Sequence, residues 1–224
     1  MKYLIIGAGG TGGPLGFYLT KAGKDVTLIA RGKHLEAIRK NGLTIQKLWD
    51  ESRETLPVKA CTAEEYKEIP DVILVCVKGY SMDETVPTIK KIAGKETVVI
   101  PILNIYGTGG RLQKKLPELT VTDGCIYVSA NIMEPGVILQ HGKILRVVFG
   151  ARKPEEETEK MREVAKNMVT DDLEVILSEN IRRDAMVKFS YVSPIGAAGL
   201  YCNAVAADFQ REGEQREMFK ALIR

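Results

Sequence analysis

The chain has 224 residues, 45% of them hydrophobic and 27% charged, which is enough for one large globular domain or one domain and part of another. The formal net charge is only +3, with lysine and glutamate interleaved, so no basic stripe for nucleic acid is present, and no apolar run approaches the roughly 20 residues needed to cross a membrane. The four cysteines lie far apart without a CxxC motif and the start is no secretion signal, which predicts a cytoplasmic protein without a metal site.

The first part of the chain alternates short apolar runs with helical patterns. Four apolar runs predict strands, at residues 3–6, 25–29, 72–77 and 97–103. Helices are predicted after the first three strands, at residues 15–22, 35–41 and 85–92. Gly42 is the expected C-cap of the second helix, and Pro87 suits the first turn of the third. Strands that alternate with helices and are apolar on both faces are typical of a doubly wound, Rossmann-type parallel sheet.

The pattern changes after about Leu119. Residues 121–132, 136–140 and 144–150 predict strands joined by tight turns at Pro135-Gly136 and His141-Gly142, which would form a short antiparallel or mixed extension. A helix is predicted over residues 155–169, followed by a last strand at 173–177. The apolar face of this helix consists of Met161, Val164, Ala165 and Met168.

From Ser178 onward the sequence predicts only helices, with the small-residue run 196–199 and Gly213 as breaks. We therefore expect two domains, a nucleotide-binding domain at 1–178 and the start of a helical substrate or dimerisation domain at 179–224. The printed sequence ends inside an amphipathic pattern. A helical region this short would bury little core alone, so we expect a truncated chain or one that a partner completes.

A glycine-rich loop follows the first predicted strand. It has GxGxxG spacing and lies between a strand and a helix, as in dinucleotide-binding folds. Gly7 would allow the tight turn, Gly9 the approach of a pyrophosphate, and Gly12 the close packing of helix on strand. The alternative is a glycine-rich turn without a cofactor. The residues predicted to bind the cofactor here are Gly7, Ala8, Gly9, Gly10, Thr11 and Gly12.

Positive charge follows the second predicted strand, where NAD-binding folds usually place an acid. Arg31 can hold the 2′-phosphate of NADP through two hydrogen bonds, whereas an acid would repel it. Lys33 adds charge nearby, and His34 is expected to be solvated. A solvated arginine at a strand end is the alternative, but with the glycine loop upstream the pattern favours NADP.

Two further polar residues follow predicted strands. Lys78 comes after the strand at 72–77 and would assist Arg31 if that strand lies beside the first; otherwise it is a surface lysine. Asn104 follows the strand at 97–103, at the carboxyl edge where ligands of such sheets bind, although asparagine also forms turns.

A lysine interrupts an apolar stripe in the segment after residue 180. Ile181, Ala185, Lys188 and Val192 share one helical face. Lys188 either extends to solvent or faces a polar cleft, and in a cleft its lowered pKa would suit a proton donor. His141 is expected to be a turn or core histidine rather than a base.

Together these segments resemble the ketopantoate reductases (2-dehydropantoate 2-reductases). The resemblance implies NADPH-dependent reduction of a 2-oxo acid to a 2-hydroxy acid on the route to pantothenate. It implies that Lys188 donates the proton, that Asn104 lies between nicotinamide and substrate, and that Arg31 and Lys78 lie on the cofactor side. It is carried by residues 4–19, the IAR that ends at Arg31, CVKGY with Lys78, LN at Asn104, PGVILQHG and the helix with Lys188.

The sequence departs from this family where substrate is held. The family has an asparagine one turn after the lysine and another a turn later, and here those positions are Val192 and Gly196. Ser190 and Ser193 are the candidate replacements. Family members also continue beyond the length printed here, and that part supplies substrate contacts and dimer surface, which leaves a homodimer as a candidate assembly.

Two other functions stay open on the sequence. An NADP-binding sensor or scaffold would keep the glycine loop and would lack turnover. A related β-hydroxyacid dehydrogenase would use the same loop for a different substrate.

Overall fold

The computed structural model describes residues 1–223 of the chain. The strands, numbered in chain order, are β1 (Lys2–Ile6), β2 (Asp25–Ile29), β3 (Leu43–Lys47), β4 (Arg53–Leu56), β5 (Lys59–Cys61), β6 (Val72–Val75), β7 (Val98–Pro101), β8 (Thr120–Val121), β9 (Asp123–Tyr127), β10 (Ala130–Glu134), β11 (Val137–Gln140), β12 (Arg146–Gly150) and β13 (Glu174–Leu177). The helices are α1 (Gly12–Lys21), α2 (Gly32–Asn41), α3 (Val86–Ile92), α4 (Thr108–Lys115), α5 (Glu159–Met168), α6 (Ile181–Cys202) and α7 (Glu214–Ile223).

The main sheet has six parallel strands in the order β5-β2-β1-β6-β7-β8. Successive side chains of a strand point to opposite faces, and β1 shows the consequence. Tyr3 and Ile5 join one buried apolar cluster, while Leu4 and Ile6 join another. Helices cover both faces, so the predicted doubly wound, Rossmann-type sheet is confirmed.

Two smaller sheets extend the main one, in the orders β10-β11-β3-β4 and β13-β12-β9. The predicted turn at Pro135-Gly136 joins the antiparallel pair β10 and β11, and Gly136 has the positive φ of 81° that favours glycine. The predicted turn at His141-Gly142 does not form a hairpin, because β11 and β12 lie in different sheets. The reason is that β11 pairs in parallel with β3, a strand that the sequence pattern did not reveal.

The last part of the chain is helical, as predicted. The prediction of a helix break at residues 196–199 was wrong, since α6 continues through Pro194 and through these residues to Cys202. Asn203 is the C-cap of this helix and has a left-handed φ of 48°, and a Cβ on Gly199 would lie 3.1 Å from the carbonyl oxygen of Ala204. The break expected at Gly213 is confirmed, because α7 begins at the following residue.

Helix α6 packs on β9 and β12 of the second small sheet, and α7 packs on α6. The residue at which a domain boundary is predicted, Ser178, lies in the short link between β13 and α6. None of the helices within residues 1–223 combines the length and the apolar character needed to span a membrane.

Candidate functional site

The glycine-rich loop connects β1 to α1 at the carboxyl edge of the main sheet. Gly7 has a φ of 105°, which L-residues with side chains rarely adopt. A Cβ on Gly12 would lie 1.9 Å from the carbonyl oxygen of Gly7, so only glycine lets α1 start this close to the strand. A Cβ on Gly9, in contrast, would meet no atom within 4 Å. The backbone at Gly9 is therefore open to a ligand.

The backbone amides of this loop indicate which kind of ligand it can bind. Within residues 1–223, the N–H groups of Gly9, Gly10 and Thr11 donate no hydrogen bond, and the Thr11 side chain does not cap α1. Unpaired amides at a helix start attract anions because the helix dipole adds partial positive charge there. The loop thus fits a phosphate or pyrophosphate group.

The loop is held from the side by β10. A Cβ on Gly10 would lie 2.1 Å from the carbonyl oxygen of Ala130, the first residue of that strand. Ala130 was not among the predicted site residues, because a sequence separation of this size leaves no local pattern.

Arg31 lies immediately before α2, at the end of β2, and its side chain is exposed. It forms no salt bridge with a carboxylate of the described chain. Lys33 is exposed in the first turn of the same helix. Both charges are therefore available to an anionic group beside the glycine loop.

His34 is not solvated as predicted. The ring is half-buried, with Nε2 at 2.9 Å from the carbonyl oxygen of Ala8 and Nδ1 at 3.0 Å from the amide nitrogen of Gly136. The prediction was wrong because the turn between β10 and β11 packs beside α2, a contact between residues 102 positions apart.

Lys78 follows β6, and β6 pairs directly with β1. The sequence analysis expected Lys78 to assist Arg31 only if its strand lies beside the first strand, and β6 does lie beside the strand that leads into the glycine loop. The Lys78 side chain is exposed, and a single turn of 3-10 helix at Gly79–Ser81 comes after it.

Lys188 and Asn104 meet across the site. The Nζ atom of Lys188 donates to Oδ1 of Asn104 at 2.6 Å, although the residues are 84 positions apart. Asn104 is exposed, whereas Lys188 retains only 8% of its surface and does not extend to solvent. Burial lowers the pKa of Lys188 below its ordinary value of 10.5, and the nearby Cys125 opposes this in part.

The surroundings of Lys188 are mainly apolar. Its ammonium lies 5.8 Å from the ring centre of Tyr127, within the range of a cation–π contact. A small pocket beside the lysine is lined by Leu103, Asn104, Cys125, Phe189 and Val192, among others. The sequence analysis did not find Tyr127 or Cys125 because β9 carries no motif.

The two serines proposed for the substrate lie on the exposed part of α6. Ser193 is exposed and follows Val192, which lines the pocket. The hydroxyl of Ser190 donates to the carbonyl oxygen of Val187 at 2.9 Å, within its own helix. Within residues 1–223, no hydrogen bond joins either serine to Lys188 or Asn104.

These features define a class, a Rossmann-type α/β protein with an open glycine loop and a buried lysine near the carboxyl edge of its sheet. Residues 3–154 match the family described as "Ketopantoate reductase PanE/ApbA". The chain belongs to the ketopantoate reductase family.

Similar proteins carry related names. The "Uncharacterized oxidoreductase YkpB" of Bacillus subtilis (strain 168) is 30% identical over 193 residues, 86% of this chain and 62% of the relative. The 2-dehydropantoate 2-reductase of Pyrococcus horikoshii is 33% identical over 202 residues, 88% of this chain and 64% of the relative. A solved 2-dehydropantoate 2-reductase from Porphyromonas gingivalis W83 has a TM-score of 0.82 and 29% identity, covering 97% of this chain and 77% of that chain. The chain thus spans less than two thirds of the length of the first two relatives.

Proposed function

We propose that this chain binds NADPH and serves in the reduction of a ketopantoate-like 2-oxo acid to the 2-hydroxy acid, as a cytoplasmic step toward pantothenate. The observation that carries the proposal is the contact between Lys188 and Asn104. It puts a buried ammonium with a lowered pKa beside an exposed amide at the edge of the sheet where ligands bind.

The cofactor residues would act through backbone and charge. The free amides of Gly9, Gly10 and Thr11 would hold the pyrophosphate, with Gly7, Ala8 and Gly12 shaping the loop. Arg31 would pair with the 2′-phosphate, assisted by Lys78. The chemistry that NADPH would supply when held by these residues is a hydride for a carbonyl carbon.

Lys188 would act on the carbonyl oxygen of the substrate. Its ammonium would stabilise the negative charge that develops there and then donate a proton. Because the surroundings are largely apolar, this charge interaction is stronger than it would be in water. The lowered pKa also makes proton release easier near neutral pH.

Asn104 would have two tasks. An ammonium can only donate, so the amide oxygen of Asn104 must face Lys188. The Asn104 NH₂ group has no acceptor among residues 1–223, and it is free to donate to the substrate carboxylate or to the nicotinamide amide. Ser193 remains the proposed substrate residue on α6, since it neighbours the pocket.

We also propose 1–178 as the nucleotide-binding domain and 179–224 as the start of the substrate domain, with a homodimer as the assembly. The support for self-association is a group of exposed apolar side chains at the end of α6. Leu200 is 88% exposed and Tyr201 80%. Sedimentation should show association that Leu200→Lys with Tyr201→Ser weakens. A purely monomeric parent chain would contradict the dimer.

The test of activity is NADPH oxidation with a panel of branched 2-oxo acids, ketopantoate among them. We expect oxidation with at least one of them and none without substrate. Tight NADPH binding without oxidation by any 2-oxo acid would instead support a sensor or scaffold. Reduction of NADP by 3-hydroxy acids alone would support a β-hydroxyacid dehydrogenase.

A further inference from the structure

We infer that His34 is a positioning residue that orients the glycine loop for the pyrophosphate of the cofactor. The inference rests on the proposed cofactor binding. It assigns a task to a side chain that would not itself contact the cofactor.

His34 connects three separate segments of the chain. It belongs to the first turn of α2, one turn after Arg31. One ring nitrogen bonds the glycine loop at Ala8 and the other bonds the β10–β11 turn at Gly136. The loop, the helix and the turn are therefore fixed to one another through a single imidazole.

The protonation of the ring follows from its partners. The Gly136 amide can only donate, so Nδ1 must be without a proton and accept. The Ala8 carbonyl can only accept, so Nε2 must carry the proton and donate. A neutral ring with its proton on Nε2 makes both bonds at once.

The bond to Ala8 orients the amide that follows it. A peptide unit is planar and trans, so its C=O and N–H groups point in opposite directions. Holding the Ala8 carbonyl toward His34 therefore turns the Gly9 N–H away from His34. That N–H is one of the loop amides that donate no hydrogen bond within residues 1–223, and the space beside Gly9 is open.

The His34 hydrogen bonds should contribute equally to the binding of NADPH and of NADH. The pyrophosphate is common to NADPH and NADH, whereas the 2′-phosphate that Arg31 would hold occurs only in NADPH. Loss of the His34 bonds should thus weaken both cofactors by a similar factor. Loss of Arg31 should change the ratio between them.

The experiment uses His34→Phe, which keeps a planar ring without nitrogens, and His34→Gln, which keeps an amide donor and acceptor. Arg39→Met is the matched control, because Arg39 lies at the other end of α2 and donates to the Ala60 carbonyl at 3.1 Å. Dissociation constants for NADPH and NADH are measured by calorimetry, with urea unfolding of each variant in parallel.

We expect His34→Phe to weaken the binding of both cofactors about tenfold with the ratio of their dissociation constants unchanged, since both hydrogen bonds of the ring are lost. His34→Gln should recover part of the loss. Arg39→Met should lower stability without changing either dissociation constant.

Three results would overturn the inference. They are binding within about twofold of the parent chain in both His34 variants, an equal loss in Arg39→Met, and a loss confined to NADPH. If the parent chain itself binds neither cofactor, the proposed function fails first, and the His34 inference fails with it.

Discussion

The region around β1 and the region around α6 bury their side chains in opposite ways. Leu4, Ile5, Leu15 and Phe17 have no exposed surface. Helix α6 has 22 residues and buries only Ile181, Lys188 and Ala198. Apolar Val187, next to the lysine, is 59% exposed.

The difference indicates that the residues around β1 contribute mainly to stability, whereas α6 carries a buried charge that lowers it. Burying apolar surface stabilises the first region. Burying an ammonium that no carboxylate of residues 1–223 pairs with is unfavourable, so α6 would gain stability from an apolar residue there. Such an unfavourable placement is typical of functional sites.

The largest effect should follow from Lys188→Ala. Removing a positioned proton donor should lower turnover about 10²–10⁴-fold. NADPH affinity should change little, because the glycine loop is untouched. Lys166→Ala, an exposed lysine of α5, is the control. A reduction of less than about threefold would mean that another group or water supplies the proton.

The next largest effect should follow from Gly9→Val in the first region. The space around Gly9 is open, so the fold should remain and the unfolding midpoint should change little. The branched side chain would occupy the approach to the amides, and we expect measurable NADPH binding to be lost. Gly142→Val makes the same exchange at another open glycine and should bind normally. Unchanged affinity in Gly9→Val would mean that the loop is only a turn.

A smaller and more selective effect should follow from Arg31→Asp. The lost charged hydrogen bonds contribute roughly 1.5–3 kcal/mol, so NADPH binding should weaken about tenfold or more. NADH binding should stay the same or improve. Arg182→Asp, at an exposed position of α6, controls for the change in charge. Equal losses of both cofactors would contradict a 2′-phosphate site.

The smallest effect should appear in stability. Lys188→Met should raise the free energy of unfolding at neutral pH, because it removes a desolvated charge while exposed Asn104 regains water. In the parent chain the folded-state pKa of Lys188 lies below 10.5, so the unfolded state binds the proton more tightly. The free energy of unfolding of the parent should therefore rise with pH between the folded-state pKa and 10.5. The difference in free energy of unfolding between Lys188→Met and the parent should become smaller over the same range. Urea unfolding of both chains across that pH range measures their free energies of unfolding. A Lys188→Met variant that is less stable than the parent at neutral pH would contradict the prediction.

The region proposed to bind the cofactor could largely be predicted from the sequence, because its signals are local. The strands at 3–6 and 25–29, the glycine loop and Arg31 occur in one short stretch with fixed spacing. Strands β4 and β5 were missed because they are short and partly exposed. Strand β3 was also missed, although it is as long as β1 and begins with three buried residues. Helix α4 was missed because glycines occupy its start, where Asp123 accepts from the Gly109 amide at 2.8 Å.

The region proposed to bind the substrate could only partly be predicted, because its geometry depends on pairs of residues that are distant in the sequence. Helical spacing indicated that Lys188 is unusual but not that it meets Asn104. His34 was misjudged for the same reason, since both of its partners lie in other elements. A sequence pattern indicates which residues share one face of a helix or strand. It does not indicate which residues of other elements they contact.

The most direct test of the proposed reaction is the pH dependence of turnover at saturating NADPH and 2-oxo acid. Below the pKa of Lys188 the ammonium can donate a proton, and above it this ability is lost. Because burial lowers that pKa, activity should fall at alkaline pH with a midpoint below 10.5, and the fall should be absent from the residual activity of Lys188→Ala. Tyr127→Phe keeps the neighbouring ring without its titrating hydroxyl and should retain the fall. An alkaline fall that persists in Lys188→Ala, or disappears in Tyr127→Phe, would contradict Lys188 as the proton donor.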